Sequence, residues 1–358
     1  MSPVSIRCLP PLRILLKTYL SGGSFFVLLF GLHDRVSGSI NNRSEEMTEV
    51  KNQHYVPQSY LRRFCSIDER LSVFDKEDKK QFSTTTRNVG SEKFFYRSEL
   101  NGSDQTDQTI EKYLSSIEGA TTQVTNELLA EFENSTYIKI KADQKETLAT
   151  FIAIQFIRTR EKRTQLNAIL QTILTQIGKE HLRIKGYKDT DFSLQIDVPK
   201  LQGELLLDKA TIDDYSQTLL SHYWVFHKNL TSSVFFTSDN PVTLSGERCN
   251  PMRGVGLATK GVSIVLPLSP RFQVVLFEKT TYPELSCADC NLFDLGSKDN
   301  IDYYNSLQVI NSYRYIYSID NDFSLVESML NSHPALGDKG RQRVAGNAFG
   351  REFCAFWR

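Results

Sequence analysis

The chain has 358 residues, 40% hydrophobic and 11% aromatic, enough for a large core in one big domain or two modest ones. Its 42 basic residues balance its 42 acidic ones, so net charge draws it to neither nucleic acid nor anionic membrane. Six scattered cysteines are too sparse for a disulfide scaffold in a chain of this length. The pair in "CADC" at 287–290 has no second Cys-x-x-Cys to complete a zinc site, and the cysteines read as reduced, separately placed thiols.

Residues 1–46 differ in character from the rest of the chain. "FFVLLFGL" at 25–32 is apolar but shorter than the about 20 residues that span a bilayer as a helix. Arg7, Arg13 and Lys17 precede it as in a signal peptide, yet "HDRVSGS" is a poor cleavage site. Met47 followed by "TEVKNQHYVPQSYLRRF" reads as the natural opening of a cytoplasmic protein. The expected organisation is a doubtful extension over 1–46, one α+β domain over 47–330 and a C-terminal tail over 331–358.

In "KNQHYVPQSYLRRF", Pro57 makes Val56 extended and suits the first position of a helix. Tyr60, Leu61 and Phe64 then share one face, and His54 lies on the extended lead-in. "RLSVFD" and "KKQFS" read as a hairpin ending near "KFFY" at 93–96, and "NGSDQTDQ" at 101–108 as a polar loop. Ile110, Leu114, Ile117, Thr121, Val124, Leu128 and Phe132 mark a helix, with Glu118 flanking the stripe. A second helix starts at Asp143, with Glu146 as capping-box partner, and runs unbroken through "FIAIQFIRTREKRTQLNAIL". Its middle, Phe151–Ile157, is apolar on nearly every side and reads as a long buried central helix.

A linker around "GYKDTDFSLQIDVPK" leads to a further helical pattern near 202–221. "YWVFHK", "SVFFT", "VSIVLPL" and "FQVVLFEK" are strands, succeeded by a helix near 298–312 and a last strand, "YRYIYSI". Helices and strands in blocks, without β-α-β alternation, predict an α+β fold with an antiparallel or mixed sheet.

Polar residues interrupt the apolar pattern at a few places. Gln155 lies on the stripe Leu148, Phe151, Ile152, and a buried amide without a partner costs about 1–3 kcal/mol. Arg158 comes at i+3 and needs an acidic or anionic partner, for which Glu118 is the nearest candidate. In "VFFTSDNPVTL" an apolar strand ends in Asp239 and Asn240 before Pro241. Asp239 there can bind a cation, act as a base or orient a histidine. The same letters are also turn chemistry, in which Asp239→Asn would be mild. "VLPLSP" at 265–270 makes a rigid corner, and Ser269 has no adjacent base. Nucleophile-elbow, Walker, His-Glu-x-x-His and dinucleotide-binding motifs are missing, which weighs against the common hydrolases, NTPases, metalloproteases and nicotinamide enzymes.

"HYVPQSYLRRF", "FIAIQFIRTR", "FFTSDNPV" and "LPLSP", in this order, resemble domain of unknown function family 4238. The resemblance covers roughly residues 50–320 and implies a mainly bacterial family that opens with His-Tyr-Val-Pro close to the start methionine. It supplies no reaction. It implies that His54, Gln155, Arg158, Asp239 and Asn240 belong to the family's motifs, which favours one shared site over separate structural roles. Three functions then compete. One is a hydrolase of a phosphoryl or nucleic-acid substrate. In it His54 and Asp239 are catalytic, with room for a divalent metal, Arg158 holds phosphate, and Gln155, Asn240 and Glu118 bind ligand. Another is a non-catalytic module that senses a small anion or nucleotide. The last is a purely structural or interaction role. No transmembrane span is expected, and the oligomeric state is unspecified.

Overall fold

The computed structural model describes residues 51–97, 106–134, 140–184, 196–246 and 255–341. The expectations for residues 1–46, for most of the loop at 101–108, for most of the linker near 186–200 and for the tail beyond 341 lie outside them.

The chain begins with β1 (Asn52–His54), then α1 (Gln58–Leu61), which continues as a 3-10 turn over Arg62–Phe64. Pro57 is the N-cap of α1, with extended backbone, so the helix starts one residue later than the proline rule predicts. Tyr60, Leu61 and Phe64 are all buried on the expected face. β2 (Leu71–Asp75) and β3 (Lys80–Thr84) form the predicted antiparallel hairpin, and β4 (Ser91–Lys93) returns to pair with β1.

α2 (Thr106–Asn134) carries the apolar stripe. The second predicted helix divides in two, α3 (Ala142–Arg158) and α4 (Arg160–Ile184). Thr159 breaks it with extended backbone at ψ 160°, and its hydroxyl accepts from Lys162 N at 3.3 Å while donating to Asn240 Oδ1 at 2.8 Å. A side-chain contact from another part of the chain thus overrides helical propensity at this one residue. At the start of α3, Gln144 rather than Glu146 closes the cap, accepting from Lys141 N at 3.0 Å. The pattern near 202–221 likewise divides, at Asp208, into α5 (Val198–Leu207) and α6 (Lys209–Leu220).

The strands of the second half are β5 (Tyr223–Asn229), β6 (Thr237–Ser238), β7 (Thr243–Ser245), β8 (Ser263–Pro267), β9 (Phe272–Phe277) and β10 (Asn291–Leu295). Then come α7 (Lys298–Asn311), β11 (Tyr315–Ser318) and α8 (Ser324–Ser332), the last of which crosses the expected boundary at 330. The fold is α+β. A five-stranded mixed sheet runs β10-β5-β9-β8-β7, with only β10 and β5 parallel. A four-stranded antiparallel sheet runs β3-β2-β11-β6.

The central strands β5, β8 and β9 of the five-stranded sheet are buried on both faces, while the edge strand β10 is partly exposed. Trp224, Phe226, Ile264 and Leu276 pack in one core with Leu148, Phe151 and Ile152 of α3, whereas Val265 and Val275 pack with Leu307 of α7 on the other side. That is why β5, β8 and β9 read as continuous apolar runs. The second sheet joins α7 and α8 through Phe74, Phe236, Val309, Ile316, Val326 and Leu330.

His227, on the α7 side of β5, gives the fold an acid-sensitive point. It is buried, its Nδ1 lies 3.0 Å from Gln273 Nε2, and burial lowers its pKa from 6.5 to about 4. Between those values the unfolded chain takes a proton that the folded chain refuses. The stability present above pH 6.5 is therefore lost as pH falls toward 4, by up to about 3 kcal/mol. Unfolding free energies measured at pH 7 and pH 4.5 should fall more steeply for the wild type than for His227→Gln. Equal slopes would contradict the assignment.

Candidate functional site

The four motif stretches cross-link one another through buried polar contacts. Tyr60 from the first bonds Thr237 Oγ1 of the third at 2.7 Å and donates to Pro267 O of the fourth at 2.8 Å. Arg63 Nε donates to Leu268 O at 2.9 Å. From α3, Gln155 Nε2 donates to Tyr55 O at 2.9 Å, and Arg158 donates through Nη2 to His54 O. The break after α3 joins the third stretch by the Thr159–Asn240 bond. Gly90 completes the cradle of β1. Its left-handed φ of 63° presents its carbonyl to Tyr55 N and Val56 N at 2.8 and 3.0 Å, and a Cβ there would stand 3.0 Å from Val56 Cβ.

Arg158 is buried, and its Nη1 meets Glu118 Oε1 of α2 at 2.8 Å. Burial works against its charge, but Tyr96 and Glu118 beside it more than compensate and hold its pKa above the ordinary arginine value. Both terminal nitrogens of the guanidinium are therefore engaged within the protein. Gln155 is completely buried, as its position on the apolar stripe demands, and its Oε1 has no hydrogen-bond partner among the described residues.

A cleft of about 260 Å³ opens beside β1, lined by Asn52, His54, Gln58, Glu111, Ser115, Glu118 and Arg158. His54, Glu118 and Arg158 of the expected site meet there. Gln155 lies one hydrogen bond behind, and Asp239 and Asn240 are absent from the lining. His54 Nε2 is buried without a hydrogen-bond partner among the described residues. Burial and the Arg158 charge lower the His54 pKa, while Glu118 and the backbone of Thr86 and Arg87 oppose them, so the ring is neutral at pH 7.

Asp239 and Asn240 face elsewhere. The Asp239 carboxylate accepts from Tyr313 N at 2.7 Å, Arg314 N at 2.7 Å and Tyr315 N at 2.8 Å, clamping the entry of β11. Burial pushes its pKa up to about 6, against the pull of those N–H groups and of the Lys76 ammonium. Asn240 Nδ2 donates to Asn311 O at 2.8 Å. Both side chains bond distant backbone at the end of α7 and the start of β11, which corrects the expectation of local turn chemistry.

Glu111, Ser115 and Asn52, together with Gln58, join the site from the structure and not from the sequence. Glu111, Ser115 and Glu118 recur at i, i+4 and i+7, one position behind the apolar stripe Ile110, Leu114, Ile117, and so form a polar row along one edge of α2. Among the described residues, no group of three or more His, Cys, Asp and Glu side chains could hold a metal ion. No described helix is long and apolar enough to cross a membrane.

The sequence profile of the family described as Protein of unknown function (DUF4238) matches residues 52–322, more than half of the chain. The chain belongs to this family. Its matched span opens at β1 and contains every residue of the cleft and of the network behind it. No curated protein and no solved structure matches the chain.

Proposed function

We propose that the cleft beside β1 is a binding site for a small polar ligand, recognised by hydrogen bonds to neutral His54 and to the polar row of α2. The observation that carries this is His54 Nε2, an imidazole nitrogen left without a partner beside a polar cleft. A buried polar atom without a partner costs free energy that a ligand's donor would recover. The volume, about 260 Å³, is below the roughly 300–1,000 Å³ of drug-sized sites and suits a small molecule. The one guanidinium in the lining, Arg158, is already engaged by Glu118. With that charge met inside the protein, the cleft favours an uncharged ligand over the anion expected from Arg158 alone.

Hydrolysis in the same cleft is the second reading, favoured by the lowered pKa of His54. An imidazole neutral at pH 7 can serve as general base, with Ser115 and Glu118 in the same lining. Phosphoryl or nucleic-acid substrates have less support here, because the Arg158 charge is already paired with Glu118 and both terminal nitrogens already donate within the protein. A cytoplasmic setting belongs to the proposal and is supported by the free thiols of Cys65, Cys287 and Cys290.

The test is NMR of the histidine rings with nucleosides, their 5′-monophosphates and inorganic phosphate added in turn. Uncharged nucleosides should shift the His54 ring more than their monophosphates, and phosphate should not shift it. A preference for phosphate, lost in an Arg158 variant, would overturn the proposal in favour of an anion site.

A further inference from the structure

Cys287 and Cys290 lie three residues apart, where the 3-10 segment Pro283–Ala288 turns into β10. Both thiols are free, Cys287 exposed and Cys290 half-buried. Residues 287–290 span the end of the 3-10 segment and the turn at 289–290, and residues i and i+3 of such a turn have Cα atoms within about 7 Å. That overlaps the about 4.4–6.8 Å that a disulfide spans. Asn291 Nδ2 steadies the segment by donating to Cys287 O at 2.9 Å.

The surroundings of Cys290 are specific. Its φ of 62° is left-handed, which side chains other than those of Asn, Asp and Gly seldom adopt. Its N–H donates to Trp224 O at 2.6 Å, which helps hold that conformation. Its thiol donates to Asp289 Oδ1 at 3.5 Å and accepts from Lys145 Nζ at 3.6 Å. Lys145 belongs to the first turn of α3 and lies 5.4 Å from the centre of the Trp224 ring. A half-buried sulfur thus has a fixed ammonium against it, three residues from an exposed thiol.

We propose that Cys287 and Cys290 form a dithiol–disulfide pair that exchanges with low-molecular-weight disulfides. Cys287, the exposed thiol, loses its proton to solvent and attacks one sulfur of the incoming disulfide. The S–S bond breaks, one thiolate leaves, and a mixed disulfide remains on Cys287. Cys290 then attacks Cys287 Sγ. Its proton ends on the second departing thiolate, and the Lys145 ammonium stabilises the charge that develops on sulfur as it attacks. Two protein thiols are oxidised, and one external disulfide is reduced to two thiols. The division of roles comes from exposure. Burial raises the Cys290 thiol pKa, which suits it to resolving rather than to first attack.

The test treats the reduced full-length protein with oxidised glutathione and tracks it by intact mass and peptide mapping. The wild type should gain one disulfide, linking Cys287 to Cys290, and keep no glutathione. Cys290→Ser should retain a glutathione adduct on Cys287, and Cys287→Ser should gain none on Cys290 over the same time. Lys145→Met should make the adduct visible in an otherwise unchanged chain, and Lys145→Arg should clear it again. Phenylarsine oxide, which bridges two nearby sulfurs, gives a readout without substitution and should protect both thiols of the wild type from alkylation. A lasting adduct on the wild type, a disulfide mapped to Cys65, an unreactive Cys287, or alkylation of both thiols under the arsenical would each overturn the proposal.

Discussion

Arg158→Ala should cost about 3–5 kcal/mol of unfolding free energy, the range for breaking a buried ion pair by removing one partner. The side chain is buried and bridges two elements, holding Glu118 of α2 through Nη1 and the His54 carbonyl of β1 through Nη2. Truncation leaves Glu118 without its cation, His54 O without a donor and a void the length of the side chain. Arg158→Lys should restore only part of the loss, because one ammonium cannot reproduce a planar fork between two acceptors. Urea denaturation at pH 7 measures both. A loss below about 1 kcal/mol for Arg158→Ala would mean that β1 is held by other contacts.

Asp239→Asn should be destabilising by about 2–3 kcal/mol, in contrast to the mild effect expected if the aspartate served a local turn. Oδ1 accepts one backbone N–H and Oδ2 accepts two, from Arg314 and Tyr315. An amide keeps one oxygen. Placed at Oδ2 it strands Tyr313 N, placed at Oδ1 it strands two donors, and in either case its own NH2 group points at an N–H. The loss should appear in thermal unfolding as a lower midpoint, with any activity of the surviving folded fraction unchanged. An unchanged midpoint would show that the carboxylate charge contributes little to the start of β11.

Legibility from the sequence divides by range. Burial of Gln155 and the pairing of Arg158 with Glu118 are legible, because an amide and a guanidinium within so apolar a helix each demand a partner, and Glu118 is the acid nearest to hand. The β2–β3 hairpin, the strand at β5 and the helix at α7 emerge from periodicity. The break at Thr159 is not legible, since it depends on Asn240, which lies 81 positions away. The role of Asp239 escapes for the same reason, as its donors are backbone N–H groups 74 to 76 positions on and carry no side-chain signature. The strands β7 and β10 have no counterpart among the predicted strands; β7 has three residues, and β10 pairs in parallel with β5 alone. In the cleft, Ser115 and Glu111 have the pattern of a solvated side of α2, and only the fold brings β1 beside them.

Gln155, Arg158, Asp239 and Asn240 form a scaffold, and His54 lines the cleft beside it with an open Nε2. The most direct measurement is the unfolding free energy of His54→Ala beside that of Asp239→Asn in the same urea series. The imidazole Nε2 makes no hydrogen bond among the described residues and the ring gives up only its backbone contacts with Thr86 and Arg87, so His54→Ala should cost no more than about 1 kcal/mol while losing the nucleoside response of the cleft. A loss as large as that of Asp239→Asn would place His54 in the scaffold and contradict its role as the open group.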